Sequence, residues 1–337
     1  MADQALSITH HNNRKNLSLK EITEPVQANL EIFRTFFKNE ISSDVFLLDQ
    51  IINYLLRQKG KEIRPTLVLM TARMFGEINS RSYVAATMIE LLHTATLIHD
   101  DVVDEAEKRR GFLSINKIWK NKAGVLLGDF LLSKGLLIAL DHEEYKLLQV
   151  LSDSVKKMSE GELRQLKTSK LFNMTEERYY QIISEKTASL IAACCRCGAI
   201  SSTDNEEVHE IMYEVGMDIG MAFQIKDDLF DYGLDDIGKP RRNDIKERKV
   251  TLPLIKAMQQ AGKSSFIARK LMRKRSKSQN DIDQIVEFVH EHNGLELAKK
   301  EMLFFAQRAL DKLESLDAGK GQDDFKALIN FIINRKK

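Results

Sequence analysis

Two short segments, "DDVVD" at 100–104 and "DDLFD" at 227–231, place Asp100, Asp101 and Asp104 at the same spacing as Asp227, Asp228 and Asp231. On a helix, the first and third aspartate of each set fall one turn apart on one face, where their carboxylates repel. A helix C-terminus aggravates the repulsion, because its macrodipole is already negative, unless a cation compensates. Carboxylate oxygens with no adjacent His or Cys suit a hard divalent ion. Magnesium in particular takes phosphate oxygens beside one or two carboxylates. With Asp at about 6% of residues, two copies of this spacing arise by chance in only a few chains per thousand. A solvated acidic face explains either cluster alone far better than it explains the pair.

Basic residues stand in the breaks between apolar segments: Lys61 and Arg64 in "GKEIRP", Arg109 and Arg110 in "RRG", Lys239 in "GKP" and Lys249 in "ERKVTLP". Arg forks grip phosphate oxygens in pairs, while Lys acts as a point charge. The combined chemistry is aspartate holding magnesium, magnesium holding a diphosphate, and basic side chains neutralising what remains. No Gly-rich nucleotide loop and no serine nucleophile elbow occurs, which disfavours nucleotide hydrolysis. The apolar segments leading into both clusters indicate that the rest of the substrate is greasy.

The elements that carry these residues are helical. Hydrophobic residues make up 43% of the 337, with only four prolines and sixteen glycines to punctuate them, a mixture that favours long helices. Apolar positions recur at three- and four-residue spacings from Leu19 onward, and no alternating run competes with them. The breaks fall at 59–65, 108–114, 171–177, 201–207 and 232–244, so both aspartate clusters close long apolar helices. One all-α domain over 19–337 is expected, after a flexible polar tail at 1–18.

Formal net charge is +2, which gives no global argument for nucleic acid. The basic run at 268–278 lacks aromatic residues on which bases could stack. The segment 124–140 is the most apolar, but Asp129, Ser133 and Lys134 interrupt it, so it reads as a buried core helix and not as a membrane span. Cys194, Cys195 and Cys197 lack a fourth zinc ligand nearby. They are expected to be small buried helix residues in a reducing, cytoplasmic setting.

Taken in order, these motifs resemble the trans-isoprenyl diphosphate synthases, or polyprenyl synthetases. The resemblance covers about residues 55–255. It rests on both aspartate motifs, "GKEIRP", His93 seven residues before Asp100, the arginine pair, "EKTASL", "FQIKDD" and the final "GKP" loop. It implies a large helical bundle around a deep central cavity, the isoprenoid synthase fold, usually as a homodimer. Asp100, Asp104 and Asp227 would coordinate three magnesium ions, with Asp101, Asp228 and Asp231 in support. Arg109, Lys186, Lys239 and Lys249 would hold an allylic diphosphate primer, and Lys61, Arg64, His93 and Arg110 would hold isopentenyl diphosphate. Thr187 and Gln224 offer oxygen dipoles to an allylic cation.

Short-chain relatives place aromatic residues four or five positions before the first aspartate. Here those positions are Thr96 and Ala95, which implies a product of about six to ten isoprene units by analogy. Larger residues such as Met88 or Phe130 would stop extension farther down. Relatives commonly carry glycine where this chain has Arg242, a change that bears on closure of the final loop. A short-chain synthase, or a noncatalytic partner subunit of a heteromeric synthase, is the alternative. A terpene cyclase normally uses Asn, Ser and Glu in its second metal motif, which "DDLFD" does not match.

Overall fold

The structure is a computed structural model that describes residues 18–58, 60–109, 111–171, 174–233, 242–319 and 321–335. Arg110, Lys239 and the expected tail up to residue 17 lie outside the described residues. Ser18, at the edge of that tail, caps the first helix through reciprocal bonds with Glu21.

The chain begins with α1 (Leu19–Thr23), α2 (Gln27–Glu40) and α3 (Phe46–Arg57). Next come α4 (Ile63–Phe75), α5 (Ser80–Val103), α6 (Ile115–Asp141) and α7 (Tyr145–Leu171). A π turn at Ser184–Ala188 joins α8 (Glu176–Ile183) to α9 (Ser189–Ile200), which α10 (Glu206–Asp231) follows. The remainder is α11 (Asn243–Lys246), α12 (Leu252–Ala261), α13 (Phe266–Arg273), α14 (Gln279–Glu291), α15 (Gly294–Glu314) and α16 (Gln322–Asn334). Among the described residues the one departure from helix and turn is a ribbon in which Lys108–Arg109 pairs antiparallel with Phe112–Leu113.

The core is laid down by helices apolar on nearly every side, as a buried helix must be. In α5, residues from Val84 to Ile98 are buried around the whole circumference, and α9 is buried from Ser189 through Cys195. α5 packs on α4 and α6, while α10 packs on α9 and α15. α10 ties two apolar clusters together: Met212, Val215 and Ile219 belong to one, and Met221, Ile225 and Leu229 to the other. Each such side chain contributes roughly 1.5–3 kcal/mol on burial, so the two helices that end in the aspartate clusters are among the most firmly held.

Close helix contacts surround the π turn. A Cβ on Gly220 of α10 would lie 2.4 Å from Ala188 Cα, and one on Gly161 of α7 would lie 3.0 Å from Lys186 N. Glycine at both positions lets three helix backbones converge there.

The reading of 124–140 as a buried core helix holds for one face of α6 only. Leu127, Leu131 and Ile138 are buried, whereas Val125, Leu126, Leu136, Leu137 and Leu140 are exposed. By length and composition α6 could cross a bilayer, but its buried face is engaged by α5. Apolarity alone could not tell a helix buried all round from one that leaves a second apolar face open.

Candidate active site

The first cluster closes α5. Asn79 caps the start of this helix, accepting from the Arg81 and Ser82 amides, and buried Leu92, Ala95 and Ile98 anchor its last turns. Asp101 turns inward to the ribbon, where Arg109 Nε donates to both carboxylate oxygens at 2.8 Å and Nη2 to Oδ1 at 2.6 Å. Asn116 Nδ2 donates to the Asp101 carbonyl at 3.1 Å. Burial raises the Asp100 carboxyl above its ordinary range; Glu162 and Asp104 add to the effect, and Lys186 and Arg109 oppose it. Asp104, at the end of the helix, is exposed.

The second cluster closes α10. Asp228 is buried and accepts from Tyr179 Oη at 2.6 Å and from Gln224 Nε2 at 2.9 Å. Asp231 accepts from the backbone amides of Asn243 (3.2 Å) and Asp244 (2.8 Å), so it fixes the start of α11. Asp227 pairs with Arg335 at 2.5 Å. Burial, reinforced by Asp231, pushes the Asp244 carboxyl up to about 6, against the pull of Lys249.

The clusters are joined electrostatically. Burial works against the charge of Lys249, but Glu247, Asp244 and Asp104 outweigh it and hold the ammonium above its ordinary value. Lys249 therefore feels Asp104 at the end of α5 and Asp244 beside the end of α10. Lys186, on the π turn, pairs with Glu162 and donates to Gln165 Oε1 at 2.9 Å, within the field of Asp100.

Three cavities adjoin between these groups. One of about 530 Å³ is lined by His93, Asp101 and Arg109. The next, about 730 Å³, is lined by Lys61, Arg64, Asp227, Asp231 and Arg335. The smallest, about 130 Å³, has Lys186, Thr187, Gln224 and Lys249 beside apolar Met174, Ile182 and Ile183. Gly60, Glu62 and Glu90 line both larger cavities, and Gln224, Asp228 and Asp244 line both the second and the smallest. Asp101 stands on one wall of this joined space and Asp227, Asp228 and Asp231 on another, with cations between, whereas Asp100 and Asp104 line none of the three cavities.

Of the residues picked out by sequence, those for the diphosphates that lie within the described chain all line this space. The chain-length candidates do not. Ala95 and Met88 are packed in the core, Phe130 is half-buried against it, and Thr96 Oγ1 donates to the His93 carbonyl at 2.9 Å. Residues not picked out include Tyr179, Glu162, Gln165 and Arg335. Arg335 gave no signal in sequence, being 108 residues from Asp227.

Arg242 has φ 54° and ψ 22°. This is the left-handed region, which costs a residue with a Cβ about 1 kcal/mol or more. Arg242 also pairs with Asp283.

The donor chemistry suits a hard cation, since the clusters offer carboxylate oxygens alone. Among the described residues no three His, Cys, Asp or Glu side chains converge into a ready-made cage. Asp101, Asp228, Asp231 and Asp227 are all engaged by protein donors. An ion held by these clusters needs oxygens from a ligand or water, as magnesium normally does.

Residues 45–289 match the profile of the polyprenyl synthetase family. The chain is 32% identical to heptaprenyl diphosphate synthase component 2 of Bacillus subtilis (strain 168), over 91% of its own length and 88% of that protein. It is 36% identical to octaprenyl diphosphate synthase of Escherichia coli (strain K12), over 72% and 76%. The crystal structure of a Caulobacter crescentus CB15 polyprenyl synthase complexed with calcium and isoprenyl diphosphate superposes with a TM-score of 0.86 at 29% identity, covering 95% of this chain and 98% of that one. Profile, sequence and architecture agree over most of the length, and the chain belongs to the polyprenyl synthetase family.

Proposed function

We propose that this chain is a trans-polyprenyl diphosphate synthase that adds isopentenyl diphosphate repeatedly to an allylic diphosphate, giving a medium- to long-chain product. The observation that carries the reading is that adjoining cavities are lined by Asp101 and Arg109 from the first motif and by Asp227, Asp228 and Asp231 from the second, with Lys61 and Arg64 beside them. A single ligand rich in negative oxygens fits between two acid walls only where such cations lie between them. The relatives named for seven- and eight-unit products support the length class.

Asp100, Asp104 and Asp227 are the proposed ligands of magnesium, which when bound supplies charge neutralisation to the departing diphosphate. Arg109, Lys186 and Lys249 hold the allylic diphosphate, and Lys61, Arg64 and His93 hold isopentenyl diphosphate. The allylic carbon–oxygen bond breaks, the isopentenyl double bond supplies the electrons of the new carbon–carbon bond, and a proton leaves to the released diphosphate. Thr187 and Gln224 turn oxygen dipoles toward the cation. Met174, Ile182 and Ile183 keep water from quenching it.

The exposed apolar face of α6 is the proposed contact for a second copy, since a stripe of this kind on a soluble chain marks an interaction surface. The three thiols are buried and unbridged, with Cys194 pushed up to about 12 by burial. That state suits a reducing, cytoplasmic compartment.

Incubating the purified chain with labelled isopentenyl diphosphate, an allylic primer and magnesium tests the reading, with product length as the readout. One relative is a component of a heteromeric synthase, which favours the partner-subunit alternative if the chain alone does not elongate.

A further inference from the structure

Four side chains along the smallest cavity form one run of hydrogen bonds. Tyr179 Oη lies 2.6 Å from Asp228 Oδ2, Gln224 Nε2 lies 2.9 Å from Asp228 Oδ1, and Thr187 Oγ1 lies 2.8 Å from Gln224 Oε1. Tyr179 Oη and Gln224 Nε2 both donate to Asp228. The amide oxygen of Gln224 is then left facing Thr187, whose single hydroxyl hydrogen it accepts.

Tyr179 and Thr187 thus each spend their one hydrogen inside the run and present lone pairs to the space they line. The phenol stays a donor, since burial and the adjacent Asp228 push its pKa well above the ordinary value. Its ring is wedged edge-on against Tyr180 at 5.6 Å, and Tyr180 in turn packs on Phe305 at 5.8 Å, so the hydroxyl has little freedom to turn away.

We propose that Tyr179 is a positioning residue for allylic cation formation: through Asp228 it fixes the amide of Gln224 and the hydroxyl of Thr187 so that oxygen lone pairs, not hydrogens, face the developing charge. The inference rests on the prenyl-transfer reading. Removing the Tyr179 hydroxyl leaves one Asp228 oxygen without its donor, so the Asp228 carboxyl can rotate and carry the Gln224 amide bonded to it out of line.

The test compares two inert allylic diphosphate analogues of equal length, bound with magnesium present and measured by calorimetry. One carries a protonated tertiary amine where the cation would form, and the other a neutral carbon isostere. The wild type should favour the ammonium analogue, as a site complementary to a cationic transition state must. In Tyr179→Phe that preference should fall about tenfold, the loss expected for one hydrogen bond in a charge-facing network, with the neutral analogue bound within about twofold. An undiminished preference in Tyr179→Phe overturns the role of Tyr179 while leaving prenyl transfer standing. A wild type that shows no preference removes the reading of the site and the inference with it. Where the variant does not fold, wild-type protein carrying 13Cζ-labelled tyrosine takes its place. The Tyr179 signal should shift on binding the ammonium analogue and not the neutral one, and equal shifts contradict the proposal.

Discussion

Arg335, just beyond α16, donates to Asp227 at 2.5 Å while its guanidinium lies 4.0 Å from the centroid of the Phe223 ring. The pair brings the end of the described chain onto the first aspartate of the second cluster. Burial lowers the Arg335 pKa, against the pull of Asp227, so the contact is kept at a desolvation cost. Any cation that takes Asp227 as ligand competes with it. Arg335→Gln should tighten magnesium binding in the presence of diphosphate by about two- to fivefold, the range expected for a partly exposed ion pair. Calorimetric titration of the metal reads this directly, and weaker binding would contradict it.

Arg242 offers a second handle. Arg242→Gly should relieve about 1 kcal/mol of left-handed strain, offset in part by loss of a solvent-facing pair with Asp283 worth about 0–1 kcal/mol. Arg242→Val keeps the strain and loses the pair. Urea unfolding should therefore rank Gly at or above wild type and Val below both.

The aspartate spacing, the ends of α5 and α10 and the helical character of the chain were legible because each depends on local periodicity and residue type. The π turn was not. It forms where Gly161 and Gly220 admit two other helices against Ala188 and Lys186, and that is a tertiary event. Arg335 was invisible for the same reason, since nothing near it in sequence points to Asp227. The open face of α6 escaped because core and interface demand the same apolar residues.

Acid should loosen the hold of α12 on α8, the helix that also carries Tyr179. Glu176, on α8, faces a burial penalty but accepts from Lys256 at 2.5 Å and Gln259 at 2.9 Å, and these bonds hold it below its ordinary value of 4.5. A depressed carboxyl stabilises the fold above the unfolded value and loses that contribution as pH falls through the folded one. Melting of Glu176→Gln should lie below wild type at pH 7, and the gap should narrow as pH falls below the ordinary carboxyl value of 4.5. A gap that stays constant with pH would contradict the linkage.

Ala95 precedes Asp100 by five residues on α5, which puts it about 7–8 Å deeper along the helix axis. If the growing chain passes there, Ala95→Phe should shorten the product, although the added ring also overpacks a filled core at about 1–3 kcal/mol. Product length by chromatography, beside a melting curve, separates the two effects. A stable variant with unchanged product length removes Ala95 from the path.

Calorimetric binding of an inert allylic thiodiphosphate, with and without magnesium, to wild type, Asp100→Asn and Asp227→Asn tests most directly whether the two acid clusters grip one ligand. Tight binding should require the metal, and each substitution alone should weaken it about tenfold or more, equivalent to about 1.4 kcal/mol. Binding that is indifferent to magnesium, or that responds to one cluster and not the other, would contradict a diphosphate held between them.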